Sequence, residues 1–188
     1  FADIFSKFGA FISDRAVPSK MKGTPDVHKS SINVAGDKSF ILIKEAIKIP
    51  LNTYELSINF SNYSFWPIYI KSYVEGCINL HESNGQTNYN MRWIGSLVAD
   101  CYRILARGGV FLYPQDTRKG YEKGRLRIVY EANPVAFLIE QSGGFATNGQ
   151  KRILSLKPES IHERVPFIFG SKNENNKLIK FYGKINVR

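Results

Sequence analysis

Cysteine is nearly absent from this chain of 188 residues: Cys77 and Cys101 are the two it has. Both sit at apolar positions of helix-like stretches, so buried reduced thiols are expected rather than a disulfide. Histidine is too sparse for zinc. His28, His81 and His162 stand apart in loop-like segments with no ligand spacing between them. No apolar run approaches the ~20 residues that cross a bilayer, so no membrane partner is expected. The opening FADIFSKFGAFISDR has one apolar helical face but carries charges throughout, unlike a signal peptide. It has no initiator Met, so a fragment or processed product is expected, with a cytoplasmic location as the default. Phosphate-binding glycine loops are missing too, because the glycines of ARGGVF and QSGGFA fall at helix ends. No Ser-His-Asp or Cys-His pattern stands out.

Acidic groups are also short. Sixteen Asp and Glu face 26 Lys and Arg, a net charge of +10, which favours anionic partners or serves solubility alone. Hydrophobic residues make up 43% and charged residues 22%, enough apolar mass for a core in one soluble domain, with or without a tail. The aromatic residues follow apolar periods and read as core rather than as stacking platforms, so nucleic acid is not expected.

Along the chain, Phe1, Ile4, Phe5, Phe8, Phe11 and Ile12 recur with a helical period. Residues 13–38 are polar and punctuated by Pro and Gly, as in a loop or linker. SFILIK (39–44) and YELSINFS (54–61) read as strands. Trp66-Pro67 opens a helix with Ile70, Tyr73, Val74, Cys77 and Ile78 on its apolar face. A second helix aligns Ile94, Leu97, Val98, Cys101, Ile104 and Leu105 and closes at Gly108-Gly109. VFLYP (110–114) and residues 125–130 read as strands. Asn133 is placed to cap a helix with Pro134 in its first turn, ending at Gly143-Gly144. VPFIFGS (165–171) reads as a strand. Ser171 and Glu174 have capping-box spacing for a last helix to about Tyr182. The alternation predicts an α/β fold: a mixed, mainly parallel sheet with helices on both faces.

In such a sheet, ligands sit where strands hand over to helices. Glu131 occupies a hand-over, beside Arg118, Lys119, Lys123, Arg125 and Arg127. Strand geometry puts Arg125, Arg127 and Val129 on one face. Basic groups next to a carboxylate at a helix start suit a phosphate ester held beside a metal. A solvated basic edge with an idle helix-start Glu accounts for the same residues.

The ordered blocks NMRWIGSLVAD, GGVFLYP, GRLRIVYEANPVAFLIEQSGG and HERVPFIFGSKNE resemble the C-terminal half of class 1 fructose-1,6-bisphosphatases. SFILIKEAIKIP and LSINFSNYSFWP extend the resemblance to roughly residues 35–175. It implies a domain over 35–188, the C-terminal domain of the sugar phosphatase fold, after an unmatched segment or linker over 1–34. It also implies a homotetrameric, metal-dependent phosphatase that removes the 1-phosphate of fructose 1,6-bisphosphate in gluconeogenesis or the Calvin cycle. By the resemblance, Glu131 is a ligand of Mg²⁺ or Mn²⁺. Tyr113 and Asn59 are phosphate contacts, and Arg92 reaches the 6-phosphate pocket of a neighbouring subunit. Arg125, where the family commonly has Lys, holds the sugar or its phosphate. Trp93 replaces a usual Tyr and keeps a flat wall, a trait shared with a proteobacterial branch, as is Arg125. Asn62 and Tyr63 are further candidate phosphate contacts, although NFSN departs here from the family's NEGN.

One block is missing. The family's Asp-Pro-x-Asp-Gly motif, which gathers most of the metal, matches none of Asp3, Asp14, Asp26, Asp37, Asp100 or Asp116. No catalytic residue is therefore assigned. The expectation is a sugar-phosphate-binding half, incomplete for catalysis alone, that recognises fructose 1,6-bisphosphate or fructose 6-phosphate. The alternative is a non-catalytic sugar-phosphate or polyanion module, or an oligomerisation partner of a full-length enzyme.

Overall fold

The computed structural model describes residues 32–33, 40–41, 47–78 and 89–186, with backbone alone at 32–33, 40–41 and 184–186. The helix expected over 1–12, His28 and His81 lie outside the described residues. The chain divides into two compact units, Phe1–Ile47 and Lys48–Arg188. In the first, β1 (Ile32–Asn33) pairs antiparallel with β2 (Phe40–Ile41). A short strand thus interrupts the loop expected over 13–38, and β2 carries part of the strand expected at 39–44.

The second unit is built on a five-stranded sheet of order β4-β3-β5-β9-β7. Its strands are β3 (Glu55–Ser57), β4 (Asn90–Met91), β5 (Val110–Tyr113), β7 (Phe145–Thr147) and β9 (Phe167–Gly170). β3 runs parallel to β4 and β5, whereas β9 is antiparallel to both β5 and β7. Four strands therefore point one way and β9 the other, so the sheet is mixed and mainly parallel, as expected. β6 (Leu126–Arg127) and β8 (Arg164–Val165) form a separate antiparallel pair.

Alternation along β3, β5 and β9 sends side chains to two layers. Leu56, Val110, Leu112 and Ile168 pack with Ile70, Tyr73, Val74 and Cys77 of α1 (Ile68–Ile78) and Leu178 of α4 (Lys172–Asn186). On the opposite face Phe111 stacks on Phe169, with ring centroids 4.9 Å apart, and Phe167 lies 4.9 Å beyond. Each of these buried rings contributes roughly 1.5–3 kcal/mol on transfer from water. There the Ser57 hydroxyl donates to the fully buried Asp100 of α2 (Leu97–Arg107) at 2.6 Å. Helices thus cover both faces. The helix α3 (Asn133–Gln141) packs against β7 and β9.

Several expected elements end early, each for a local reason. The strand expected over 54–61 holds only Glu55–Ser57, because the Asn59 side chain accepts from Ser61 N and caps a 3₁₀ turn, Phe60–Phe65. The strand expected over 125–130 holds only Leu126–Arg127 and passes into a π turn, Ile128–Ala132, which breaks the shared face of Arg125, Arg127 and Val129. That turn runs straight into α3. Asn133 is therefore inside helical backbone and caps nothing, and its N–H already donates to Ile128 O. VPFIFGS splits at Pro166, which has no N–H for a ladder, into β8 and β9 in different sheets.

Ser171 and Glu174 do not form a capping box either. Ser171 Oγ accepts from Gly109 N at 3.4 Å, and Glu174 turns inward to the hydroxyls of Tyr73 and Tyr89 and to Lys177. α4 also runs past Tyr182 to Asn186. Ile78 and Ile94, expected on apolar faces, are exposed, Ile94 because it precedes α2. Gly108 ends α2 at φ +86, as expected, and Cys77 and Cys101 are buried and unpaired. The strand β7 had no counterpart in the sequence reading.

Candidate functional site: an aromatic and arginine shelf at the strand ends

The three parallel strands β4, β3 and β5 deliver Trp93, Asn59 and Tyr113 to one end of the sheet, where their chains leave it. This is the end at which open α/β sheets collect ligands. The Arg92 N–H donates to Leu56 O at 2.7 Å, which continues the β3–β4 ladder and sets Trp93 over the sheet. Trp93 stacks on Phe111 at 5.8 Å with an interplanar angle of 19°, and Tyr113 tilts against it at 6.0 Å. Both Trp93 and Tyr113 are half-buried, so the buried phenylalanine stack ends in a partly open aromatic wall.

Arg125 reaches this wall from the loop after β5. Its guanidinium carbon lies 5.8 Å from the Tyr113 ring centroid and 4.3 Å from that of Tyr121. Gly124 is what lets the chain enter. Its φ is +83, and a Cβ there would sit 2.4 Å from Pro166 N and from the Val165 carbonyl carbon. Glycine alone meets both demands, and Arg125 follows directly.

Arg118 lies over the rings of Phe65 (4.9 Å) and Tyr121 (4.8 Å) and forks onto Asp116, with Nη2 to Oδ2 at 2.5 Å. Burial would raise the Asp116 carboxyl. The hydrogen bonds from Arg118 and the charges of Arg118 and Arg125 outweigh that and hold it below the ordinary carboxylate value. Arg118 is thus neutralised locally. Among the described residues Arg125 has no carboxylate within ion-pair distance, and it is exposed.

The other expected site residues fall in different surroundings. Asn59 uses its side-chain oxygen on Ser61 N, and its N–H₂ is not engaged there. Asn62 N donates to Asn59 O inside the same turn. Tyr63 donates its hydroxyl to Glu75, a bond that holds the phenol above its usual range, and its ring packs on Phe60 and Trp66. Arg92 is half-exposed, and its Nε lies 3.7 Å from Glu55, a carboxylate that also binds Arg103 and Arg107.

Glu131 lies in the π turn. Its Oε2 accepts from Arg127 N at 2.6 Å, and Oε1 is 3.6 Å from the Arg127 guanidinium. The carboxylate thus reaches back and satisfies a free N–H at the start of its own turn. Among the described residues no three His, Cys, Asp or Glu side chains gather into a group that could hold a metal. A hard divalent ion takes about six oxygens, several from carboxylates. Glu131 by itself does not fit that demand.

Sequence reasoning missed Tyr121, Phe65 and the Asp116–Arg118 pair. The signal was an aromatic residue amid charges in QDTRKGYEKGR, together with an Asp two residues before an Arg.

Comparison with known proteins places this domain in a family. The family model for "Fructose-1-6-bisphosphatase, C-terminal domain" matches residues 49–183. "Fructose-1,6-bisphosphatase class 1 1" of Cereibacter sphaeroides is 49% identical over 147 residues, 78% of this chain and 44% of the relative. "Fructose-1,6-bisphosphatase class 1" of Rhizobium meliloti is 53% identical over 139 residues, covering 74% and 40%. That of Sinorhizobium medicae is 50% identical over 143 residues, covering 76% and 41%. The chain therefore spans less than half the length of these relatives. With the matched range running from just before β3 into α4 and including every residue of the shelf, the chain belongs to the fructose-1,6-bisphosphatase family, of which it carries the C-terminal domain.

Proposed function

We propose that this chain supplies the sugar-phosphate-holding half of a fructose 1,6-bisphosphate 1-phosphatase. The observation that carries the proposal is the shelf itself: Trp93 and the tilted Tyr113 form an aromatic wall, and Arg125, exposed and with no carboxylate within ion-pair distance among the described residues, stands over its rim. A phosphate monoester is recognised by charge-assisted hydrogen bonds, and an arginine can make two of them at once. Tyr113 adds a hydroxyl, and the wall accepts the apolar side of a sugar ring. Asn59 borders the same end of the sheet and, with Asn62 and Tyr63, remains a candidate contact. The names of the relatives point to the same ester.

Hydrolysis breaks the bond between phosphorus and the ester oxygen as water adds to phosphorus. The described residues orient the ester and neutralise its charge, and they offer no grouped carboxylates to activate that water. Glu131 would lend one carboxylate to Mg²⁺ or Mn²⁺, with the remaining ligands outside the described residues. No step is derived through the ion. Arg92 is proposed to act across a subunit boundary in a homotetramer. A cytoplasmic setting in gluconeogenesis or the Calvin cycle completes this reading.

The purified chain should bind fructose 6-phosphate at millimolar concentration or tighter, measured by calorimetry. It should release no phosphate from fructose 1,6-bisphosphate in the presence of Mg²⁺. Full turnover by the isolated chain would overturn the division of labour. A second reading, a sugar-phosphate or polyanion binder without chemistry, is favoured by the basic groups Arg118, Lys119, Lys123, Arg125 and Arg127 clustered in one segment. Salt-sensitive binding of DNA or heparin with no response to fructose 6-phosphate would select it.

A further inference from the structure

The geometry points to Tyr121 as the positioning residue that turns Arg125 into an oriented phosphate clamp, an inference that rests on the sugar-phosphate reading above. Arg125 is exposed and has no carboxylate partner among the described residues. A long side chain in that position ordinarily samples many rotamers and loses that freedom when it binds. Here two rings limit it. Tyr121 lies under the guanidinium at 4.3 Å, and Tyr113 flanks it at 5.8 Å. A planar cation on an aromatic face keeps its N–H edge free for an anion, which a carboxylate partner would have consumed.

Tyr121 is itself anchored. Its carbonyl accepts from Asp116 N at 3.2 Å and from Gly124 N at 2.9 Å, and its N–H donates to Arg118 O at 3.0 Å. These three bonds belong to the backbone and survive replacement of the side chain. Arg118 braces the same ring at 4.8 Å, with its own charge already matched by Asp116. Thr117 N donates to Phe65 O at 3.1 Å, which ties the loop to the 3₁₀ turn that follows Asn59. The loop thus closes on itself around one ring and presents beside Tyr113 a guanidinium with no ion-pair partner among the described residues.

The pairing also gives a reason for arginine at position 125. A lysine ammonium carries the same charge but is compact and not planar, so it gains less from a flanking pair of rings and donates to phosphate from one point. Tyr121 and Arg125 should therefore be coupled, with each worth less when the other is changed.

The test follows backbone amides and the Arg125 Nε–Hε signal by NMR while fructose 6-phosphate, and separately inorganic phosphate, is added to the full chain. Tyr121→Leu should weaken fructose 6-phosphate binding about threefold, the scale of an exposed cation–π contact. Tyr121→Phe, which keeps the ring, should bind like the parent. Arg125→Lys should weaken the parent by more than it weakens Tyr121→Leu. In the free chain the Arg125 signal should gain mobility in Tyr121→Leu and not in Tyr121→Phe, a change that a purely structural role for the loop does not require.

If the parent binds fructose 6-phosphate and Tyr121→Leu binds equally well, or if the two substitutions add independently, the clamp is refuted and the sugar reading stands. If inorganic phosphate binds with the Tyr121 dependence and the sugar ester does not bind, the clamp stands and the sugar reading falls. A parent that binds neither refutes both.

Discussion

Replacing Gly124 with alanine should unseat the segment that carries Arg125, and the cost can be worked from geometry. Gly124 has a φ of +83, in the left-handed region that costs an L-residue roughly 1–2 kcal/mol. A methyl there would lie 2.4 Å from both Pro166 N and Val165 C and 2.5 Å from Val165 O. These are backbone atoms at the end of the partner strand and cannot swing aside. The β6–β8 pair must open, or the chain at 124–127 must shift, a forced repacking worth roughly 1–3 kcal/mol. The sum is about 2–5 kcal/mol, against a typical total of roughly 5–15 kcal/mol for a domain. Urea denaturation followed by circular dichroism should show a lowered midpoint with an unchanged slope. Any folded Gly124→Ala protein should also bind fructose 6-phosphate more weakly, because Arg125 leaves Tyr113 and Tyr121. Parental stability together with parental affinity would refute the argument that this glycine sets the clamp.

Other consequences follow from buried charge and burial alone. Glu55 is lowered below its ordinary value of 4.5: burial pushes it up, but hydrogen bonds and charges from Arg107 and Arg103 win. A carboxylate with a depressed folded pKa adds stability that is complete above its unfolded pKa and is lost as pH falls through the folded one. Glu55→Gln should therefore destabilise the chain at pH 7, with the difference from the parent shrinking as pH drops below about 4, read from urea midpoints across pH; a constant difference would contradict the ion pairs. Burial pushes both the Cys77 and Cys101 thiols up to about 12. Neither should react with a thiol reagent at pH 8 until urea unfolds the chain, and rapid labelling of the native protein would count against this core. Glu174→Ala should cost roughly 2–4 kcal/mol, since it leaves the hydroxyls of Tyr73 and Tyr89 without their acceptor; a loss under about 0.5 kcal/mol in urea unfolding would show that water replaces the carboxylate.

The residues legible in the sequence were those whose role depends on period and chain order. Ile70, Tyr73, Val74 and Cys77 announced α1 by spacing, and Gly108 announced the end of α2. Trp93, Tyr113 and Arg125 are legible because their blocks resemble a known family, and the fold brings Trp93 and Arg125 each within ring-contact distance of Tyr113. What could not be read depended on long-range partners. Glu174 has ideal capping-box spacing, yet two tyrosines distant in sequence claim its carboxylate. The segment 125–130 alternates like a strand, yet Glu131 captures Arg127 N and winds the chain into a π turn after two residues. Tyr121 looked like one aromatic in a charged loop, and only the return of the chain past Gly124 sets it under Arg125.

The measurement that bears most directly on the central claim is a crystal structure of this chain soaked with fructose 6-phosphate. The phosphate should be hydrogen-bonded to the Tyr113 hydroxyl or the Arg125 guanidinium, with the sugar against Trp93. A sugar phosphate bound only elsewhere, with Arg125 swung off Tyr113 and Tyr121, would contradict it.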